Sequence, residues 1–216
     1  MVVLRHTIAK ELNQKLAQQH CIATGQRMVM WHSVDMVSTR PGRAGAATAM
    51  PSPPDLREIV NQLAPNQTKE MLGIGYFFKG MCFRFTNSTN PAIGHMTNAE
   101  CVGEALILHP DEPEDAGGPV RMLHMPPLAI CVRPLQADVG DRFSRLFPQC
   151  PHGCIIIPFP TQASSFDVQL RIPMLIGGAL RTKVYSRRRN FTLGVGYAFT
   201  DYFCQVRGGL QGYNTP

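Results

Sequence analysis

Six basic residues fall between Arg171 and Arg189, namely Arg171, Arg181, Lys183, Arg187, Arg188 and Arg189, with no acid among them. The whole chain carries 21 Lys+Arg against 15 Asp+Glu, so the formal net charge of +6 resides in this one segment. Positive charge concentrated in this way suits a polyanion, and phosphate is the usual one. The same residues on a strand edge would also block edge-to-edge association. A second candidate is Cys150-Pro-His-Gly-Cys154. A structural zinc site takes four Cys/His ligands in two knuckles, and no second knuckle is visible. The alternative reading is a turn into the strand Ile155-Ile-Ile-Pro158. The acids Asp111, Glu112, Glu114 and Asp115 crowd one stretch, read as an exposed loop between strands. The histidines, at positions 6, 20, 32, 95, 109, 124 and 152, are scattered. No phosphate-cradling G-x-x-x-x-G-K-[ST] occurs, since Gly177-Gly-Ala-Leu-Arg-Thr-Lys183 has its glycines and lysine in the wrong order. Dinucleotide-binding, zinc-protease and nucleophile-elbow motifs are also absent from the sequence.

These residues need elements to hold them. Ile8, Leu12 and Leu16 recur at helical spacing with Ala9 and Ala17 beside them, which predicts a helix that Thr7 can cap and Gly25 can end. Arg27 to Val34 then reads as a strand carrying the only Trp, Trp31. Residues 38 to 54 are small and rich in Pro and Gly, a loop or disordered insert. Leu56, Ile59, Val60 and Leu63 predict a short helix over 55–63. From Met71 onward short apolar runs alternate with turn residues, as in Tyr76-Phe-Phe, Cys82-Phe-Arg-Phe, Ala105-Leu-Ile-Leu, Leu128-Ala-Ile-Cys-Val and Phe166-Asp-Val-Gln-Leu. That spacing suggests a small antiparallel barrel or sheet. Gly194 to Phe199 is the last strand candidate.

The 216 residues are 44% apolar, near the globular norm, which argues against a fully disordered chain. Charged residues make up 17%, and there are 19 Gly and 18 Pro, so turns and strands are favoured over long solvated helices. No apolar run approaches the roughly 18 residues needed to span a bilayer as a helix. The first residues lack a signal-peptide stretch. Seven cysteines, an odd number at irregular spacing, point to a reducing compartment rather than a disulfide framework.

Arg188-Arg-Asn-Phe-Thr-Leu-Gly-Val-Gly-Tyr-Ala-Phe-Thr-Asp-Tyr-Phe-Cys-Gln205 resembles the C-terminal motif of Pif-type DNA helicases of superfamily one, as also carried by Helitron-type transposable elements. Arg188, Arg189 and Phe191 match its start, and Tyr197, Ala198, Thr200 and Gln205 its core. Ala9 to Asn13, Thr24-Gly-Gln26 and Asp35, then Lys79-Gly-Met81, Asn87, Asn98 and Gly103, follow the family's order upstream. The resemblance implies an α/β fold: a partial second RecA-like helicase domain with an inserted small antiparallel β-barrel. It divides the chain into residues 1–37 as the start of the RecA-like domain, 38–70 as a loop or insert with a short helix, 71–180 as a β-rich insert, 181–205 as the return to the RecA-like core, and 206–216 as a divergent tail. It implies weak contact with single-stranded DNA, with Arg187, Arg188 and Arg189 along the backbone, Thr200 and Gln205 on phosphate oxygens, and Tyr202 stacking on a base. A nuclear location is implied by the resemblance alone.

The chain also departs from the pattern. Val206 stands where the family has Gly after the Gln, Thr192 replaces a Pro, and Ala99 replaces the Gly of Asn-Gly. The arginine motif beyond Gln205 and the first RecA-like domain, with its phosphate loop and Mg²⁺-binding acids, are not found. The expectation is therefore a helicase fragment, inactive alone, with no cofactor of its own; ATP and Mg²⁺ belong to the full-length family. The missing first RecA-like domain is an implied partner, and no membrane is. The alternatives are a non-enzymatic interaction module and a non-functional remnant of a mobile-element gene.

Overall fold

A two-residue strand, β1 (Val2–Val3), precedes helix α1 (His6–Thr24). The computed structural model describes residues 2–3, 6–38, 50–63, 65–68, 71–115, 117–196 and 199–200. The buried stripe of α1 is Asn13, Ala17 and Cys21, with Leu12 and Leu16 half-buried beside it and Ile8 exposed. Residues four apart share a helix face, so the packed face is rotated by one residue from the stripe that the large apolar side chains suggest.

The strand expected over 27–34 divides at Ser33. Its halves, β2 (Met28–His32) and β3 (Val34–Ser38), enter different sheets. The chain continues through β4 (Met50–Pro51), α2 (Pro54–Gln62), β5 (Ile74–Phe77), β6 (Cys82–Phe85), β7 (Glu100–Ile107), β8 (Val120–Met122), β9 (Ala129–Pro134), the short helix α3 (Arg142–Leu146), β10 (Ile155–Pro158), β11 (Ser164–Ile176), β12 (Ala179–Arg189), β13 (Leu193–Val195) and β14 (Phe199–Thr200). The helix expected over 55–63 is α2, with Leu56 and Val60 buried. Of the expected 38–54 loop, positions 39–49 lie outside the described residues.

The strands form four sheets, ordered β10-β9-β7-β6-β13, β11-β12-β3-β4, β5-β2-β8 and β1-β14. Among the described residues these sheets are open, and the inserted small antiparallel β-barrel that the resemblance implies is not seen closed. Among the described residues only β2–β8 and β1–β14 pair parallel. A mixed α/β chain dominated by antiparallel pairing is thus the observed class. β13 pairs β6, and the β11–β12 hairpin runs across position 180. The β-rich stretch and the segment after it are therefore hydrogen-bonded together.

Two main apolar cores form among the described residues. The larger joins Ala17 and Cys21 of α1 to Trp31, Phe77, Phe83, Phe85, Ile130, Ile155 and Phe191. The smaller packs Leu56 and Val60 of α2 on Val37, Phe166, Val168 and Val184. A polar clasp lies between segments of both. Arg188 is buried, its side chain 1% exposed, and directly opposite Asp35 in the β12–β3 ladder. Its Nε donates to Asp35 Oδ1 at 2.7 Å and its Nη2 to Asp35 Oδ2 at 2.8 Å. Nη2 also donates to Asn61 Oδ1 of α2 at 3.0 Å, and Nη1 to the Met71 carbonyl at 3.3 Å. Two residues on, Asn190 Nδ2 donates to the Leu72 carbonyl at 2.7 Å, while Asn190 Oδ1 accepts from Trp31 Nε1 at 3.0 Å and from the Phe191 N–H at 2.8 Å. Trp31 packs against Gly75 of β5, where any added Cβ would collide with the indole ring.

Buried polar groups that lose a partner are penalised by about 1–3 kcal/mol each. Asn190→Ala strands the Trp31 N–H, the Phe191 N–H and the Leu72 carbonyl, so it should lower stability by about 3 kcal/mol. The check is urea unfolding, read as a lower midpoint at unchanged slope. A midpoint equal to that of the parent would show that Asn190 holds nothing together.

Candidate nucleic-acid interface

The basic segment is a strand, and a strand sends successive side chains to opposite faces. Along β12, Val184, Ser186 and Arg188 are buried, while Lys183 is exposed and Tyr185, Arg187 and Arg189 are half-buried. The second set forms a row on one face, its members about 6.6 Å apart along the strand. Their partners across the ladders are Gln169, Asp167 and Ser165 on β11, and Ser38, Met36 and Val34 on β3.

Local contacts orient this row. Lys183 Nζ sits 2.7 Å from Asp167 Oδ2 and 5.3 Å from the Tyr185 ring centre. The carboxylate's hydrogen bond holds the Lys183 ammonium above its usual pKa, so it is charged across the physiological range. The Arg189 guanidinium lies 5.9 Å over Phe159, which meets Phe191 edge-on at 5.3 Å; Phe191 in turn meets Trp31 edge-on at 5.7 Å. An aromatic chain therefore runs from the main core to the underside of Arg189.

The six residues proposed from sequence fare differently. Arg187 and Arg189 share the outer row, together with Lys183 and Tyr185, which the motif did not mark. Arg188 instead faces inward. Its guanidinium is bound on all sides by Asp35, Asn61 and Met71, inside the protein, and cannot track a nucleic-acid backbone in this arrangement. Adjacent strand residues must face opposite ways, so three consecutive arginines cannot all face one ligand. Thr200 lies on β14, paired in parallel with Val3. Tyr202 and Gln205 fall outside the described residues. Other motif residues are structural: Asp35 is the partner of Arg188, and Asn98, at φ 66°, accepts from Arg84 Nη1 at 3.2 Å.

The cysteine pair acquires a third member. Cys150 and Cys154 cluster with Cys131 of β9, all buried, against Ala105, Ile107, Phe143 and Ile156. Burial pushes the Cys131 thiol up to about 12 and Cys154 up to about 11. Cys150 Sγ donates to the carbonyls of Pro151 and Cys154, and Cys154 Sγ to that of His152. Among the described residues no three His, Cys, Asp or Glu side chains converge as a metal site. The acidic stretch is a held loop rather than a free one. Arg27 and Arg121 bind Asp115, and Glu112 accepts the N–H groups of His124 and Met125. The Arg27 hydrogen bond is the main reason that the Asp115 carboxyl lies below its usual pKa.

No family model matches this sequence, and no curated protein does. Solved structures with partial likeness include a Pif1 helicase from Bacteroides in complex with ADP-AlF3 and ssDNA, at TM-score 0.39 and 10% identity over 94% of this chain and 30% of that one. Unliganded Pif1 from Bacteroides sp gives TM-score 0.39 and 11% identity over 94% of this chain and 42% of that one. Bacteroides Pif1 bound to ssDNA gives 0.31 and 11% over 82% and 26%. The chain spans less than half the length of each of these structures. A likeness of this degree fixes neither the fold nor the site.

The thiols give a check on the packing of the β10-β9-β7-β6-β13 sheet. Cys82 is exposed, its thiol raised by partial burial and by Glu100, whereas Cys101, Cys131 and Cys154 are buried and burial raises their thiols as well. Alkylation of the native protein near pH 8, followed by peptide mass spectrometry, should label Cys82 well before these three, because the thiolate is the reactive form. Equal labelling rates would contradict the buried cluster.

Proposed function

We propose that this chain contacts the sugar–phosphate backbone of single-stranded DNA through the outer row of β12, as part of a Pif-type helicase or of a protein derived from one. The observation that carries the reading is the alternation itself: Lys183, Arg187 and Arg189 stand on one face with Tyr185 between them. Arg187 and Arg189 are about 6.6 Å apart along the strand, and Lys183 lies about twice as far from Arg187 on the other side of Tyr185. Cations along such a row neutralise phosphates without reading sequence. Tyr185 adds a ring on which a base can stack. The helicase part of the proposal rests on the motif over Arg188–Gln205 and its upstream companions. Under this reading the chain holds DNA and does not itself hydrolyse ATP; the phosphate loop and Mg²⁺-binding acids would come from elsewhere, and a nuclear setting would follow from the same resemblance.

The test is fluorescence anisotropy of a labelled oligothymidine at several salt concentrations. Each cation removed from a single-strand site lowers the magnitude of the log-affinity versus log-salt slope by about 0.7. Arg187→Ala with Arg189→Ala should therefore weaken binding and lower that slope by about 1.4. An affinity and slope equal to those of the parent would dismiss the proposed face.

A further inference from the structure

The outer row of β12 has a carboxylate in its midst. Asp167 is the sole acid of the sequence between Asp141 and Asp201. It stands on β11 directly across the ladder from Tyr185, flanked by Gln169 opposite Lys183 and Ser165 opposite Arg187. Side chains directly opposite in an antiparallel pair lie on one face, so this carboxylate sits among the cations of the row. A negative charge there repels phosphate and weakens the row unless it has another use.

The contacts show such a use. Asp167 Oδ2 holds Lys183 Nζ at 2.7 Å. The same ammonium stands over the Tyr185 ring, 5.3 Å from its centre, a distance at which a cation is attracted to the ring face. Carboxylate and ring thus hold one ammonium between them, and that face of the ring is covered while they do. The side chains of Lys183 and Asp167 are 40% and 55% exposed. An ion pair so open to water is weak, and a phosphate can take the carboxylate's place on Lys183. The same movement uncovers the ring.

We propose that Asp167 is a latch on the single-strand row: it keeps Lys183 over Tyr185 until a backbone phosphate draws the ammonium away and a base stacks on the bared ring. The proposal rests on the reading of the row as a backbone contact and adds its regulation. Arg187 and Arg189 lie outside the latch and meet phosphate first. Lys183 and Tyr185 join only when the pair opens, so cation and ring are recruited together. Phosphate contacts and base stacking are the two elements of binding a single strand without reading sequence. Asp167 thereby sets the affinity of the row without touching the strand.

The experiment measures anisotropy of labelled oligothymidine with the full chain and with Asp167→Asn, Lys183→Ala and the double variant. Asp167→Asn changes an exposed side chain to one of the same shape, so the fold should persist; urea unfolding checks this. It should tighten binding by about threefold, the scale of a weak exposed pair. The gain should shrink in the Lys183→Ala background, where there is no ammonium to release. Lys183→Ala alone should lower the salt slope by about 0.7, because the ammonium leaves the carboxylate for phosphate when the strand binds. No gain from Asp167→Asn would overturn the proposal. So would an equal gain with and without Lys183, which would make Asp167 a mere repulsive charge, or an unchanged slope in Lys183→Ala, which would mean that the pair stays closed. Arg187 and Arg189 report on the row itself: if their removal weakens binding while any of these three results appears, the row stands and the latch alone fails. A chain that binds no single strand overturns both.

Discussion

Arg188 and Asp35 lie opposite each other between β12 and β3, both withdrawn from water. Two charges there are tolerable only because they are paired and their remaining hydrogen-bonding capacity is met. Asn61 of α2 and the Met71 carbonyl complete the set on the guanidinium. The Arg188 guanidinium also lies 5.7 Å from the Phe166 ring centre. One side chain thus fixes the register of the β12–β3 ladder, docks α2 and locates the turn that leads to β5. The Asn190 clasp extends the same arrangement to Trp31 and Leu72, which belong to or pack on the larger core. The two apolar cores are joined through these polar contacts.

The outer row is the geometrical consequence of that pair. Once Arg188 faces inward, Arg187 and Arg189 must face outward, and Tyr185 and Lys183 follow at the strand period. Anchoring and binding capacity are therefore interleaved in one short stretch of sequence. The most basic part of the chain divides into an interior cation that organises the fold and exterior cations that can meet phosphate. Phe159 and Phe191 support Arg189 from below, which limits the side-chain freedom that a ligand would otherwise have to quench.

Much of this organisation could be read in the sequence, and the failures have physical causes. Helical spacing located α1 and α2, because periodicity survives without knowledge of partners. It misplaced the packed face of α1, because close approach to the core selects small side chains such as Ala17 over large ones. The apolar runs after Met71 were recognisable as strands, but closure of a sheet depends on which edges pair, and that is non-local. The division of Arg27–Val34 at Ser33 was hidden for the same reason, since both halves are apolar and only their partners differ. The arginine triplet was legible as a site of charge. Its division into inner and outer residues needed the partner strand, because Asp35 is 153 residues away from Arg188. Lys183 and Tyr185 were within reach of the sequence through their alternate spacing with Arg187 and Arg189, once β12 is treated as a strand.

A double-mutant cycle between Asp35 and Arg188, followed by urea unfolding, tests this account most directly. Removing either partner leaves a buried charge alone and should cost about 3–5 kcal/mol. Removing both, as Asp35→Leu with Arg188→Met, should recover much of that loss, with a coupling well above the few tenths of a kcal/mol seen for independent sites. Single substitutions that leave stability near the parent value, or losses that simply add, would contradict the claim that this pair holds the fold together.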